Sequence, residues 1–291
     1  MNDSSYLKTL AYFDIFSFPL TESELNAWRW ISADEINMEM QIENVNGFNF
    51  LSGREHILIE RQTRYINSVL KLRRARKVAK ILSLLPSVKM IAVCNSLGFL
   101  NARQGSDIDF FILTDSGKIW LTRFWLQGIL KILRLRPYDK NEKKDSICLT
   151  FFLSTDNLDI RTLQVAEPDI YLAYWITQLL PIYNPESWYE NFFHTNSWIE
   201  KYIPNFKELK LAPAWQIPKS KYAKIFSIFS FLWWESILKK IQMHILPVSL
   251  RTIANQDTRV IIKNNMLKFH GQEDKRKDYL NLWQKKIGLK N

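Results

Sequence analysis

The chain has 291 residues, 47% of them apolar, with 40 Lys and Arg against 29 Asp and Glu for a net charge of +11. That length holds about two domains on a prior of ~150 residues each, and the apolar content excludes a disordered, collagenous or low-complexity chain. A positive surplus of this size favours phosphate-bearing partners without saying which.

Residues 1–60 read as a unit of their own. Tyr6 to Phe16 has helical apolar spacing, and Pro19-Leu20-Thr21 ends that helix. Thr21 and Glu24 stand at capping-box separation, with Leu25 and Trp28 continuing the apolar face of a second helix. Asp34 to Glu43 is expected as a third short helix. Asn46-Gly47 supplies turn residues for a hairpin between Val45 and Phe48, with Ile57 and Ile59 on a further extended stretch. This is the order of a winged helix. Residues 31–50 nevertheless carry Asp34, Glu35, Glu39 and Glu43 and no Lys or Arg. An acidic recognition helix does not suit phosphates, so a structural role against the rest of the chain is expected rather than DNA binding.

Residues 61–165 are expected to form an α/β domain. Arg61 to Leu84 is helical, setting Lys71, Arg73, Arg74, Arg76, Lys77 and Lys80 against an apolar line of Val69, Leu72, Ala79 and Leu82. The basic side is either solvated or phosphate-facing. After Pro86 come short apolar runs, Val88–Cys94, Ile108–Leu113 and Ile147–Leu153, with an amphipathic helix near residues 118–133, the pattern of a buried sheet with helices packed on it.

Residues 166–291 read as a helical bundle. Pro168 suits the first turn of a helix through Leu180, and further helices are expected near 185–202, 221–245, 250–269 and 275–287. The fold class is therefore α+β: a small mixed-sheet domain between a winged-helix-like unit and a C-terminal α-helical bundle.

The apolar run at 225–234 is broken by Ser227 and Ser230 and followed by Glu235, Lys239 and Lys240, well short of the ~20 residues a bilayer span needs. The N-terminus shows no secretory-signal pattern, and the expected compartment is the cytoplasm. Cys94 and Cys148 stand inside apolar runs, not at metal-ligand or redox-pair spacing, and read as small core residues. His56, His194, His244 and His270 share no short spacing. The aromatics Phe226, Phe229, Phe231, Trp233 and Trp234 are expected to pack. Those of Tyr171–Trp175 and Trp188–Trp198 could pack or stack an apolar or sugar acceptor.

The chemistry is concentrated in residues 94–112. A strand ends at Cys94 in the small-residue turn Asn95-Ser96-Leu97-Gly98, and the next strand opens on Ser106-Asp107-Ile108-Asp109. Side chains at i and i+2 of a strand share a face, so Asp107 and Asp109 present four oxygens at one place. That arrangement suits Mg2+ or Mn2+ completed by water and substrate phosphates. Without a counter-charge the two acids would raise each other's pKa. The turn offers the Ser96 hydroxyl and backbone N–H groups, and Gly98 has no side chain to obstruct a polyphosphate.

These residues resemble the DNA polymerase beta-like nucleotidyltransferase superfamily, whose signature is a Gly-Ser turn, a loop, and Ser-Asp-Ile-Asp-Leu on the following strand. Ser96 matches the signature serine and Ser106-Asp107-Ile108-Asp109-Phe110 the metal-binding strand; the similarity covers roughly residues 86–155. Asn95 replaces the usual Gly, a substitution the left-handed backbone tolerates. The helical C-terminal part is similar in order to the accessory bundle of aminoglycoside and other small-substrate members.

The resemblance implies attack of an acceptor hydroxyl on the α-phosphorus of a nucleoside triphosphate, giving an adenylated or otherwise nucleotidylated product and pyrophosphate. Asn95, Ser96, Gly98 and Ser106 would contact nucleotide, and Lys118 and Arg123 are candidate charge partners. It also implies a third carboxylate on a later strand. Residues 146–153 contain none, so Asp145 is the leading candidate, ahead of Asp139 and Glu142. A catalytically silent nucleotide-binding regulatory or scaffold module is the alternative, and a DNA-associated regulator a third reading.

Overall fold

The computed structural model describes residues 4–33, 41–136, 144–209, 211–222, 234–271 and 274–289. The fold is α+β. The N-terminal unit comprises α1 (Ser4–Asp14), β1 (Leu20–Thr21), α2 (Glu22–Ala27), β2 (Ile42–Val45) and β3 (Phe48–Leu51). Thr21 and Glu24 form the expected capping box on α2. Asn46 and Gly47 take φ of 52° and 80°, the two positive values a tight hairpin turn requires, and Val45 pairs with Phe48. A three-stranded sheet in the order β1-β3-β2 results. Most of the helix expected over Asp34–Glu43 lies outside the described residues, and its last two, Ile42 and Glu43, belong to β2. The extended stretch expected at Ile57 and Ile59 is instead the start of α3 (Ile57–Leu82).

The larger sheet is built from β4 (Val88–Val93), β5 (Ile108–Thr114), β6 (Ile147–Ser154), β7 (Leu180–Tyr183), β8 (Val260–Ile262) and β9 (Met266–Phe269), in the order β7-β4-β5-β6-β9-β8. Only β5 and β6 run parallel, joined through α5 (Ile119–Ile132); the other pairs are antiparallel. Both faces are covered, which is why these strands read as nearly continuous apolar runs. On one face Phe110 and Ile112 pack with Leu72, Ala79, Trp120 and Leu126. On the other, Phe111 and Leu113 pack with Leu10, Phe13, Trp28, Tyr174 and Trp283.

The C-terminal segment is not the helical bundle expected from its sequence. It contributes β7, β8 and β9 to the sheet along with α6 (Ile170–Thr177), α7 (Trp188–Thr195), α8 (Trp234–Ile245), α9 (Val248–Thr252) and α10 (Arg276–Lys286). The helix expected over 250–269 fails because β-branched Val260, Ile261 and Ile262 and the turn residues Asn264 and Asn265 favour a hairpin. The helix expected to run from Pro168 to Leu180 is shorter at both ends. Asp169 caps α6 by accepting from Leu172 N, and Leu180 has already entered β7. The stretch 185–202 divides into α7 and a 3-10 turn at Ser197–Lys201. Of the 226–234 aromatics only Trp234 lies among the described residues.

The N-terminal unit is bound into the same core. Tyr174 Oη donates to Trp28 O at 2.7 Å, Trp283 Nε1 to Lys8 O at 3.0 Å, and Asp14 pairs with both Arg54 and Lys286. No described helix is long and apolar enough to cross a membrane.

Candidate metal centre and adjoining cavity

β4 ends in a one-turn helix, α4 (Asn95–Gly98), and antiparallel β5 starts at the same end of the sheet. Asp107 therefore stands just before β5 and Asp109 one residue inside it. Across the parallel ladder Asp109 pairs with Cys148 and Phe111 with Phe151, so β6 carries one extra residue between them. Such a bulge turns side chains that strict alternation would separate, and Thr150 and Phe151 both line the cavity described below. One oxygen from each of Asp107 and Asp109 and the Cys148 sulfur lie within 4.8 Å of one another, all three residues half-buried.

Asn95 holds the turn against this cluster. Its backbone takes the left-handed φ of 54° that Asn accepts at low cost. Its Nδ2 donates to Asp109 Oδ2 at 2.8 Å, while its Oδ1 accepts from Trp175 Nε1 at 3.2 Å. Burial pushes the Cys148 thiol well above its ordinary pKa, and the charges of Asp109 and Asp107 push it further in the same direction. Two carboxylates fit a hard cation such as Mg2+ or Mn2+, whereas a sulfur ligand suits a softer one.

Asp145, the leading candidate for a third acid, is tied to a lysine. Its Oδ1 lies 2.5 Å from Lys71 Nζ, and Lys71 also donates to Gln104 O and Ser106 O. Lys71, expected on the outer basic side of α3, is 3% exposed. It fastens the loop before β5 to the start of β6 and neutralises Asp145. Arg73, Arg74, Lys77 and Lys80 are exposed as a solvated side would be. Asp139 and Glu142 lie outside the described residues.

Gly98 is buried, and its bareness serves packing. A Cβ there would stand 2.2 Å from Gln178 O, at the end of α6. Ser96 lines the cavity, and so does Ser106, whose hydroxyl donates to Arg103 O at 2.9 Å. Lys118 is engaged with Asp115 at 2.8 Å. Arg123 donates to Gln242 Oε1 at 2.6 Å and lies over the Phe269 ring at 4.7 Å. Neither contributes to the cavity wall.

The cavity holds about 400 Å³ and opens beside the turn. Asn95, Ser96, Ser106 and Thr150 belong to its wall, while Asp107, Asp109 and Cys148 lie outside it. Opposed elements supply aromatic surface from Tyr12, Phe16, Trp175 and the stacked pair Tyr171 and Tyr279, whose ring centroids are 5.6 Å apart. Arg64, Arg103, Lys268, Lys275 and Arg276 face Asp274 as the one acid in the lining. Lys268 and Arg276 are both tied to Asp274 at 2.8 Å. Burial, followed by the Arg276 charge, pulls Lys268 down to about 8 despite Asp274. Burial alone would raise the Asp274 carboxyl, but the Arg276 hydrogen bonds and both cations hold it well below its usual range. Burial lowers His270 to about 3. The buried atoms Gln178 Nε2 and His270 Nδ1 have no hydrogen-bond partner.

Cys148, Gln178 and His270 were missed as site residues. A signal existed for Cys148: Ser146, Cys148 and Thr150 alternate with apolar Ile147 and Leu149, marking one side of β6 as unsuited to a dry core. No comparable signal places Gln178 or His270. Compared with known proteins, the chain matches no family model, no curated protein and no solved structure.

Proposed function

We propose that the chain is a metal-dependent nucleotidyltransferase acting on a nucleoside triphosphate and a hydroxyl acceptor. The observation that carries this reading is the convergence of Asp107 and Asp109 beside the Asn95-Ser96 turn, with their oxygens within 4.8 Å of each other and of a thiol. In the reaction the acceptor oxygen bonds to the α-phosphorus, the bond from that phosphorus to the bridging oxygen breaks, and pyrophosphate leaves with the electron pair. The acceptor proton passes to solvent.

Asp107 and Asp109 would hold the divalent cation, which when bound supplies charge neutralisation for the attacked phosphate and the departing pyrophosphate. Asn95 keeps the Asp109 carboxylate oriented through Nδ2. The Ser96 hydroxyl is available to donate to a phosphate oxygen, and the surplus of cations over Asp274 in the cavity lining suits a phosphate-bearing substrate. Asp145 acts through Lys71 to hold the loop that carries Ser106, not as the base.

A catalytically silent nucleotide-binding module remains the second reading, favoured by one observation. Asp145, the leading candidate for the third acid, is held by Lys71, and the β6 partner of Asp109 is Cys148 rather than an acid.

The test incubates the protein with each α-labelled triphosphate, Mg2+ or Mn2+, and crude cell extract as the acceptor source. Transfer of label that needs metal and vanishes in Asp107→Asn plus Asp109→Asn is the expected result. Triphosphate binding without transfer favours the silent module, and absence of both removes the two readings together.

A further inference from the structure

We propose that Cys148 is itself a metal ligand, making the centre a mixed carboxylate–thiolate site that selects a borderline cation such as Zn2+ or Co2+ over Mg2+. The inference rests on the reading that Asp107 and Asp109 hold a cation, and is independent of which nucleotide or acceptor is used. Three features of the chain lead to it.

The sulfur is in the right place by register. Asp109 and Cys148 are direct partners across adjacent parallel strands, and Asp107 precedes them on the same side. Ligands bound at about 2.0–2.3 Å to one tetrahedral ion stand roughly 3.5 Å apart. The three ligand atoms, all within 4.8 Å of one another, are already close to that spacing.

The sulfur also completes a three-donor cluster with the two acids. β6 has no acid along its length, and Asp145 immediately before it is held by a buried lysine at 2.5 Å. The cluster of ligating side chains found at this end of the sheet is therefore two acids and a thiol. Around it, Thr150 Oγ1 lies 3.7 Å from Cys148 Sγ and Asn95 fixes Asp109, outer partners of the kind that orient metal ligands.

Donor chemistry then sets the preference. Mg2+ takes oxygen ligands and keeps much of its water, so a thiolate adds nothing for it. Zn2+ and Co2+ accept two carboxylates and a thiolate and leave a position open for water or a phosphate oxygen.

Titration of the metal-free 291-residue chain with Co2+ tests the assignment through the near-ultraviolet absorption of a cobalt–thiolate bond. The wild type is expected to bind one equivalent with that band, to release it to Zn2+, and to retain it against a large excess of Mg2+. Cys148→Ser should lose the band and bind Zn2+ at least ~100-fold more weakly, the upper end of what even outer-shell substitutions cost. Cys94→Ser should keep the band, and Cys148→Asp should bind Mg2+ at least ~10-fold more tightly than the wild type. If Cys148→Ser fails to fold, protection of Cys148 from alkylation by Zn2+ in the wild type gives the same information. Cobalt bound without a thiolate band, a band that survives in Cys148→Ser, or alkylation unaffected by Zn2+ overturns the thiol ligand and leaves the carboxylate site standing. Failure of the wild type to bind any divalent cation overturns both.

Discussion

Where β9 meets α10, Asp274 receives Lys268 and Arg276, and the remaining donors of those cations go to the carbonyls of Thr258, Arg259 and Leu163 and to the Thr258 hydroxyl. Where β5 begins, Asp107 and Asp109 instead bring two like charges together beside a thiol. The first cluster lines the cavity and the second lies outside its wall, and both are removed from bulk water to a degree. The first joins the β8–β9 hairpin to α10 with its hydrogen-bonding capacity used, and needs no ligand. The second concentrates negative charge at one place, the pattern expected where stability yields to binding.

Substitutions can break this contrast, beginning with the largest expected effect. Asp274→Asn leaves two buried cations without their counter-charge and should cost ~3–5 kcal/mol in urea unfolding. A cost below ~1 kcal/mol would mean that the cluster is not what binds hairpin to helix. His270, beside the same cluster, gives a pH signature. Its pKa is lowered from 6.5 to about 3, so between those values the unfolded chain binds a proton that the folded one refuses. Stability should therefore fall on acidification through this window, and the slope should drop in His270→Gln by up to ~1.4 kcal/mol per pH unit. An unchanged slope would show that His270 is protonated in the folded protein. The smallest effect is expected at the other cluster. Asp109→Asn keeps an oxygen for Asn95 to donate to and should change stability by at most ~1 kcal/mol, although it removes a metal ligand. A loss as large as that of Asp274→Asn would make the acid pair structural.

The sequence discloses what depends on near neighbours. The capping box at Thr21 and Glu24, the Asn46-Gly47 hairpin and the common side of Asp107 and Asp109 all follow from spacings of one to three residues. Long-range pairings were hidden. Lys71 and Asp145 are 74 residues apart, and nothing in the basic pattern of α3 distinguishes the one lysine that turns inward. β8 and β9 are short runs beside segments of helical character, and they become sheet strands by pairing with each other and, through β9, with β6. Cys148 looked like core because its neighbours are core; the register that sets it beside Asp109 belongs to the sheet and not to either strand alone.

The clasp between the two ends of the described chain bears on how it is made. Trp283 packs edge-on to Trp30 with centroids 6.1 Å apart, and Lys286 reaches back to Asp14. As the polypeptide leaves the ribosome, Trp30 emerges before Tyr202 and Trp283, two of the rings that pack against it in the finished fold, so its indole waits for partners supplied far downstream. A nascent chain of this kind presents greasy surface until those later elements emerge, which makes it a natural client for chaperones that shield early segments.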